Sequence, residues 1–596
     1  MRRLTLAALF VTALLIVVIA IAPANAAEQG PPGILPIIYI SGSEYEMGYQ
    51  YGQQAASYIN IVKDGLWSVL LEKYDRSFIL DKLMRYDSYV KLELPKVNYT
   101  AILQGIADGA RDAGYDVTYW DVLLINYQVE FEWLPLPSSC SNLAAWGKAT
   151  AGGKVMVGSN FDYPFGRGYS YILMIVAYPK NGNAFVSFGI AGRLGDNFAM
   201  NDKGLIFMSN KGPNARPEDI GFGIADFILS PYIAMTCSTA EEAKDVILSL
   251  SLTNGINRLL VDKHGGAYVI EATASLKAVR KPGDFGEGDY MISTNHFLNS
   301  TMMPSQKPWD PKLYYPSSWF RYITAEKYIK DNYGKIDAET VMKIMSSTDY
   351  WNGTTWIKNA GWTGNTINRF GLSTATLHSV VAIPVDGVLY VCAGNPGYPQ
   401  WGRLAPGQTG QYVKVEWKSS PLETTKALYG AAQRELFSTA QAIEKLSPSN
   451  DWSKILLNEK FDEVKAMYWE AIRKLAMAEL EGNELEALKL YGEASTGFAK
   501  VQDLCKYLRS LSAFSTIEST LVDALKEINA TITSINKAVT TIETDLGKVK
   551  ADVSLVKGWL PVTVDMTPVW IAVLLALIAA IAAITSVIQI RLKKTK

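Results

Sequence analysis

The stretch Ser138–Pro164, SSCSNLAAWGKATAGGKVMVGSNFDYP, constrains the chain most. It predicts a strand from Cys140, a tight Ala151-Gly152-Gly153-Lys154 turn and a second strand over Val155–Phe161. The glycine pair supplies the backbone freedom that a hairpin needs. A cysteine opens the first strand and a carboxylate, Asp162, follows the second. That pairing suits a thiol nucleophile whose own α-amino group, freed by cleavage of Ser139–Cys140, is the base. Such an amine titrates at about 7.7–8, close to where a general base works best at neutral pH. The chemistry requires no histidine, and the chain has only His264, His296 and His378. Taken alone, the hairpin suits a small buried thiol equally well.

At 596 residues the chain exceeds one core and divides into several domains. A formal net charge of −1 without a basic stripe excludes an obvious nucleic-acid partner. Cys140, Cys237, Cys392 and Cys505, widely spaced, form no metal-type or disulfide-framework pattern; one disulfide is compatible with them, leaving out Cys140 if that thiol is catalytic, and no metal or cofactor is expected.

Both ends carry membrane signals. Arg2-Arg3, the apolar run Leu4–Ala22 and Ala24-Asn25-Ala26 read as a signal peptide cleaved after Ala26. Val569–Ile590 is long and apolar enough to span a bilayer, and the basic tail from Arg591 stays cytoplasmic. The body then faces outward as a single-pass cell-membrane protein. Sequons at Asn98, Asn299, Asn352 and Asn529 are compatible with glycosylation of an exported chain.

Along the exported part, Gly30–Tyr39 reads as an extended leader, and Ser43-Glu44-Tyr45-Glu46 as a capping box. Glu44 to about Asp121 reads as helical, either an ordinary helical domain or a pro-segment. From Cys140 to about Gly402 short β-rich runs alternate with turns, among them Arg258–Asp262 with Ala267–Glu271, and Ser379–Pro384 with Val388–Cys392. Helical stretches, Ala240–Leu250 and Ser317–Tyr333, lie between them. Paired strands with intervening helices predict an α+β fold, an antiparallel sheet system covered by helices. After Trp401 the sheet signal stops, and Leu422 to about Leu511 reads as helical.

A heptad seam follows: Leu525, Ile528, Ile532, Ile535, Val539, Ile542, Leu546, Val549, Val553 and Val556. Branched residues at d favour three or four strands, so the chain is expected to form a homotrimer or homotetramer through a stalk about 50–60 Å long.

Within the sheet region the residues resemble a known family. Gly42-Ser43-Glu44-Tyr45-Glu46-Met47-Gly48, Cys140-Ser141-Asn142, Gly158-Ser159-Asn160-Phe161-Asp162-Tyr163-Pro164, Ser209-Asn210, Thr294-Asn295-His296-Phe297-Leu298 and Ser317-Ser318-Trp319-Phe320-Arg321 stand in one order. They are similar to motifs of the cysteine-type N-terminal-nucleophile hydrolases: isopenicillin N acyltransferase-like proteins, acid ceramidase and choloylglycine hydrolases. Ser159 departs from the arginine that the ceramidase and bile-salt branches carry there, which moves the match toward the acyltransferase-like group.

The resemblance implies an αββα sandwich and a set of roles. Cys140 is the nucleophile, and Asp162 holds its α-amine. Asn210 and Asn295 are oxyanion donors. Arg321 biases the thiol toward thiolate. The expected activity is hydrolysis or acyl transfer on a small linear, non-peptide amide or acyl substrate, after self-cleavage at Ser139–Cys140. The alternative is a catalytically silent surface-layer or tethering protein that keeps the fold. The expected order is signal peptide 1–26, leader and α segment 27–139, sheet domain 140–412, helical region 413–511, coiled-coil stalk 512–560, transmembrane helix 568–590 and basic tail 591–596.

Overall fold

The computed structural model describes residues 36–131, 140–163, 171–306, 316–369, 375–397, 412–445 and 451–514. Ser139, Asn529, the signal segment, the heptad seam, the expected membrane span and the basic tail lie outside them. Among the described residues no helix is long and apolar enough to cross a membrane.

The chain opens with strand β1 (Ile37–Gly42) and helices α1 (Glu44–Leu71), α2 (Arg76–Glu93), α3 (Tyr99–Asp112), α4 (Tyr119–Asn126) and α5 (Gln128–Phe131). The Ser43/Glu46 capping box starts α1. Helices α1 and α3 approach backbone to backbone: a Cβ at Gly48 would lie 2.2 Å from the Ile102 carbonyl oxygen, and one at Gly109 2.1 Å from that of Tyr49. Only glycine permits such a crossing.

Next come β2 (Ser141–Gly147), β3 (Gly153–Tyr163), β4 (Ile172–Pro179), β5 (Phe185–Ile190), β6 (Phe198–Asn201), β7 (Leu205–Lys211), α6 (Asp226–Thr236), α7 (Ala240–Ser249), β8 (Ile256–Asp262), β9 (Ala267–Ala272), β10 (Lys277–Arg280) and β11 (Tyr290–Ser293). Helices α8 (Pro316–Asp331) and α9 (Ala338–Met345) precede the small hairpin β12 (Tyr350–Trp351) and β13 (Trp356–Ile357). Strands β14 (Ala375–Ile383), β15 (Val388–Ala393) and β16 (Val413–Glu416) lead to α10 (Pro421–Glu444), α11 (Asp451–Leu480) and α12 (Glu484–Phe514).

Two sheets result. One has the order β1-β4-β5-β6-β7-β8-β9-β10, the other β11-β2-β3-β14-β15-β16. They face each other through buried side chains: His378 on β14 stacks on Phe188 of β5 with ring centroids 5.1 Å apart. Helices α6 and α7 cover the first sheet, where Asn201 donates to the Ala234 carbonyl and the Ala240 N–H donates to Asp262. Helix α9 covers the second, where Asn160 donates to the Met345 carbonyl. The layers are helix, sheet, sheet, helix, which makes the fold α+β.

Three local expectations are corrected. The β2–β3 connection is wider than a tight turn at Ala151–Lys154: β2 ends at Gly147, β3 starts at Gly153, and the register slips beyond Ala145. Gly147, Gly152 and Gly153 all sit at positive φ and absorb the reversal. Ile37–Tyr39 is not an extended leader but part of β1, which pairs in parallel with β4. Sheet structure also continues past Trp401, because β16 pairs with β15 through Val388↔Glu416 to Val391↔Val413. The C-terminal helices pack on this same body. The Ile37 N–H donates to Thr496 Oγ1 at 3.0 Å, and the Tyr39 and Ser495 hydroxyls lie 2.9 Å apart.

Candidate active site

Cys140 sits just ahead of β2, buried, with its Sγ 3.9 Å from the Asp162 carbonyl oxygen. The pairing Ser141↔Asn160 brings the head of β2 beside the tail of β3. This places Asp162 next to Cys140, although 22 residues separate them in sequence. The Asp162 Oδ1 accepts from Thr376 Oγ1 at 2.7 Å, and its buried Oδ2 has no hydrogen-bond partner.

Arg321 reaches this point from α8. Its Nη1 donates to the Cys140 carbonyl at 2.8 Å and to Ser141 Oγ at 3.0 Å. Its Nη2 donates to Asn295 Oδ1 at 2.7 Å. Asn295 in turn donates through Nδ2 to the Lys211 carbonyl at 2.8 Å, one residue beyond Asn210. Asn210 is reached from the other sheet, because Asn142 Nδ2 donates to its Oδ1 at 3.0 Å. The Asn210 Nδ2 is buried without a partner. All five residues singled out from sequence therefore join one connected site at the head of β2.

Burial dominates the electrostatics of the joined chain. Burial, with the Asp162 charge second, pushes the Cys140 thiol up to about 12. Arg321 acts in the expected direction but is outweighed, and its hydrogen bonds go to main chain and Ser141 rather than to sulfur. Burial also raises Asp162 to about 6, against the lowering pull of Arg369, Arg321 and Thr376. Burial pushes His296 down to about 3, and its Nδ1 lies 2.7 Å from Ser318 Oγ. No disulfide joins any of the four cysteines.

Residues 149–398 match the family model of acyl-coenzyme A:6-aminopenicillanic acid acyl-transferase. The sheet domain thus resembles this acyl-transferase family. The match includes Asp162, Asn210, Asn295 and Arg321, and begins just after Cys140. An uncharacterized protein of Archaeoglobus fulgidus is 26% identical over 341 residues, 51% of this chain and 56% of that protein. The chain therefore spans little more than half the length of that curated relative.

Among solved structures, a mutant of a conjugated bile acid hydrolase from Clostridium perfringens has 14% identity and a TM-score of 0.30, covering 43% of this chain and 89% of that one. A penicillin V acylase from Agrobacterium tumefaciens has 11% identity and a TM-score of 0.29, covering 47% and 87%. An N-acylethanolamine-hydrolyzing acid amidase ortholog from Caenorhabditis elegans has 15% and 0.28, covering 41% and 93%.

Several site residues carried no sequence signal. Thr376 and Arg369 belong to the acyl-transferase-like region without forming a recognisable spacing. Asn142 and Ser159 lay inside the motifs, but their role is visible only once the sheets are stacked. Ser159 Oγ donates to Asn142 Oδ1 at 2.7 Å, and Asn197 Nδ2 donates to Ser159 Oγ at 3.1 Å. A buried polar chain thus runs between the sheets and ends at Asn210.

Proposed function

We propose that the protein is a cysteine-nucleophile amidohydrolase or acyltransferase that acts on a linear, non-peptide amide after cleavage of its own Ser139–Cys140 bond. The carrying observation is a pair of buried, unpartnered polar atoms in the connected site: an acceptor on Asp162, next to Cys140, and a donor on Asn210, which Asn142 holds. Leaving such groups unpaired costs about 1–3 kcal/mol each, so a site that keeps both is built for ligands of matching polarity. A free α-ammonium or amine at Cys140 suits Asp162 Oδ2. An oxyanion formed on attack suits Asn210 Nδ2, and a donor of this kind is typically worth about 3–4 kcal/mol.

The reaction follows. The α-amine of Cys140 takes the thiol proton as sulfur bonds to the substrate carbonyl carbon, and later delivers it to the leaving amine. Asn210, and the second N–H of Asn295, receive the negative oxygen. Arg321 holds the Cys140 carbonyl, Ser141 and Asn295 in register. Water or an amine then resolves the thioester, giving hydrolysis or acyl transfer.

The apolar runs at both chain ends support export and a single C-terminal anchor, and the heptad seam supports a homotrimer or homotetramer. Activity tests the chemistry. The wild-type protein turns over an N-acyl amide and accumulates a thioester on Cys140, while Cys140→Ala does neither. Equal turnover by both proteins would refute the reading.

A further inference from the structure

Asn295 lies in a short segment just after β11 that is tied down from two sides. From the first sheet, Asn257 on β8 donates through Nδ2 to the Thr294 carbonyl at 2.8 Å and to the His296 carbonyl at 2.9 Å. From α8, Ser318 Oγ accepts the Asn295 N–H at 2.7 Å. Arg321, three residues further along and so on the same face of α8, donates to Asn295 Oδ1 at 2.7 Å. One turn of helix thus holds both the backbone and the side chain of Asn295.

The Ser318 hydroxyl sits in a closed cluster with Thr294 and His296, all three buried. The proton count in this cluster decides the state of the imidazole. The Thr294 hydroxyl donates to the Ser318 carbonyl at 3.1 Å, so the Thr294 oxygen acts as an acceptor for the Ser318 hydroxyl at 3.0 Å. Ser318 Oγ then has two lone pairs to fill. The Asn295 N–H takes one, and His296 Nδ1, 2.7 Å away, must bring a proton to the other. The opposite tautomer would give up the Ser318–Thr294 bond and bury an N–H on Nε2, which finds no hydrogen-bond partner among the described residues. An orphaned donor of that kind costs about 1–3 kcal/mol.

The rest of the ring is held by packing. Its centroid lies 5.8 Å from that of Trp319 and 5.7 Å from that of Tyr322, both on the same turns of α8 as Ser318 and Arg321. Burial, and then the charges of Arg280 and Arg321, oppose a second ring proton. The polar contact the ring offers is therefore the one made by Nδ1.

We propose that His296 is a positioning residue whose Nδ1–H donates to Ser318 Oγ and thereby locks Asn295 onto the turn of α8 that carries Arg321. This rests on the amidohydrolase reading, in which Asn295 turns its second side-chain N–H toward the oxyanion, and it adds the device that keeps that N–H in place. Without the lock the Asn295 backbone loses its anchor on α8, while Arg321 still pulls on the side chain.

The test has two arms, both on the full-length protein. The first is nitrogen NMR of histidine-labelled wild type at pH 7, with the His296 signals assigned by their loss in His296→Asn. A neutral ring with its proton on Nδ1 is expected; a proton on Nε2, or a doubly protonated ring, would overturn the proposal. The second arm is kinetic. The amide of His296→Asn reaches the place of Nδ1 and should keep kcat within about threefold of wild type. His296→Gln, whose amide reaches the place of Nε2, and His296→Phe should lower kcat about 10–100-fold, the usual effect of a misplaced site group, with KM within about twofold. Ser318→Ala should match them, and His296→Phe with Ser318→Ala should be no slower than Ser318→Ala alone. Equal losses in the Asn and Phe variants, losses confined to KM, or additive losses in the double variant would overturn the proposal. The tautomer is read without substrate or any stable loss-of-function variant, so a protein that turns nothing over refutes the amidohydrolase reading and still reports on the lock.

Discussion

Asn142 on one sheet donates its side-chain amide to Asn210 on the other, at 3.0 Å. The same Asn142 nitrogen also donates to the Ser209 carbonyl at 3.1 Å. A carbonyl only accepts, so the atom facing Ser209 is the nitrogen, and the Asn210 atom that it meets is oxygen. The Asn210 amide N–H₂ is thereby turned the other way, without a partner, as an oxyanion donor requires. Asn142 is a positioning residue that fixes this orientation.

Asn210→Ala should lower kcat about 10²–10³-fold, the usual value of an oxyanion donor. Asn142→Ala should lower kcat with little change in KM. The double variant should be no slower than Asn210→Ala, because both changes remove one function. Additive losses would show that Asn142 acts independently of Asn210.

The thiol gives a second test. In the joined chain Cys140 is buried and pushed up to about 12, so it stays protonated at neutral pH and a thiolate-selective reagent has nothing to attack. A precursor blocked in cleavage should resist iodoacetamide at pH 8 until it is denatured, while the mature protein should lose its activity to the reagent. Peptide mass mapping reads both.

Buried histidines set the acid response. His378 stacks between Phe161 and Phe188, and neither ring nitrogen has a partner. Burial pushes it down to about 3, against an ordinary value near 6.5. The unfolded chain binds the proton first, so stability falls as pH drops below about 6.5 and continues to fall toward 3. Asp162 and Asp196, both raised to about 6 by burial, act in the opposite sense between about 4 and 6. His378→Phe isolates the histidine contribution. It should raise Tm at pH 7, by removing an unpaired N–H worth about 1–3 kcal/mol, and raise it further at pH 5. An equal gain at both pH values would contradict the assignment.

The helix crossing can be tested by one methyl group. Gly109→Ala would put a Cβ 2.1 Å from the Tyr49 carbonyl oxygen, and backbone must move to accept it. Overpacking of this kind costs about 1–3 kcal/mol, to be measured by urea unfolding. Alanine at Gly152 meets no atom within 4 Å, and only its positive φ resists the change.

These residues also show what the sequence displayed. Hairpins with a glycine turn, such as β8–β9 across Lys263–Gly266, were legible because period-two runs and turn residues agree. Strand β1 was hidden by the Pro/Gly-rich residues before Ile37, and it gains its partner only from β4. Strand β6, four residues long, and β16, equally short, carry too little alternation to detect. In the candidate site, motif order pointed to Cys140, Asp162, Asn210, Asn295 and Arg321, which the fold brings together. Arg369 stands in no periodic pattern. Its Nε and Nη1 lack hydrogen-bond partners, and an absence of that sort exists only in three dimensions.

The amino-terminal residue of the heavy fragment tests the central claim most directly. Intact-mass measurement with N-terminal sequencing of the purified protein should give a chain that begins at Cys140, together with a fragment ending at Ser139 that remains bound through β1 and α1. A single active chain in which Ser139 is still joined to Cys140 would contradict the account.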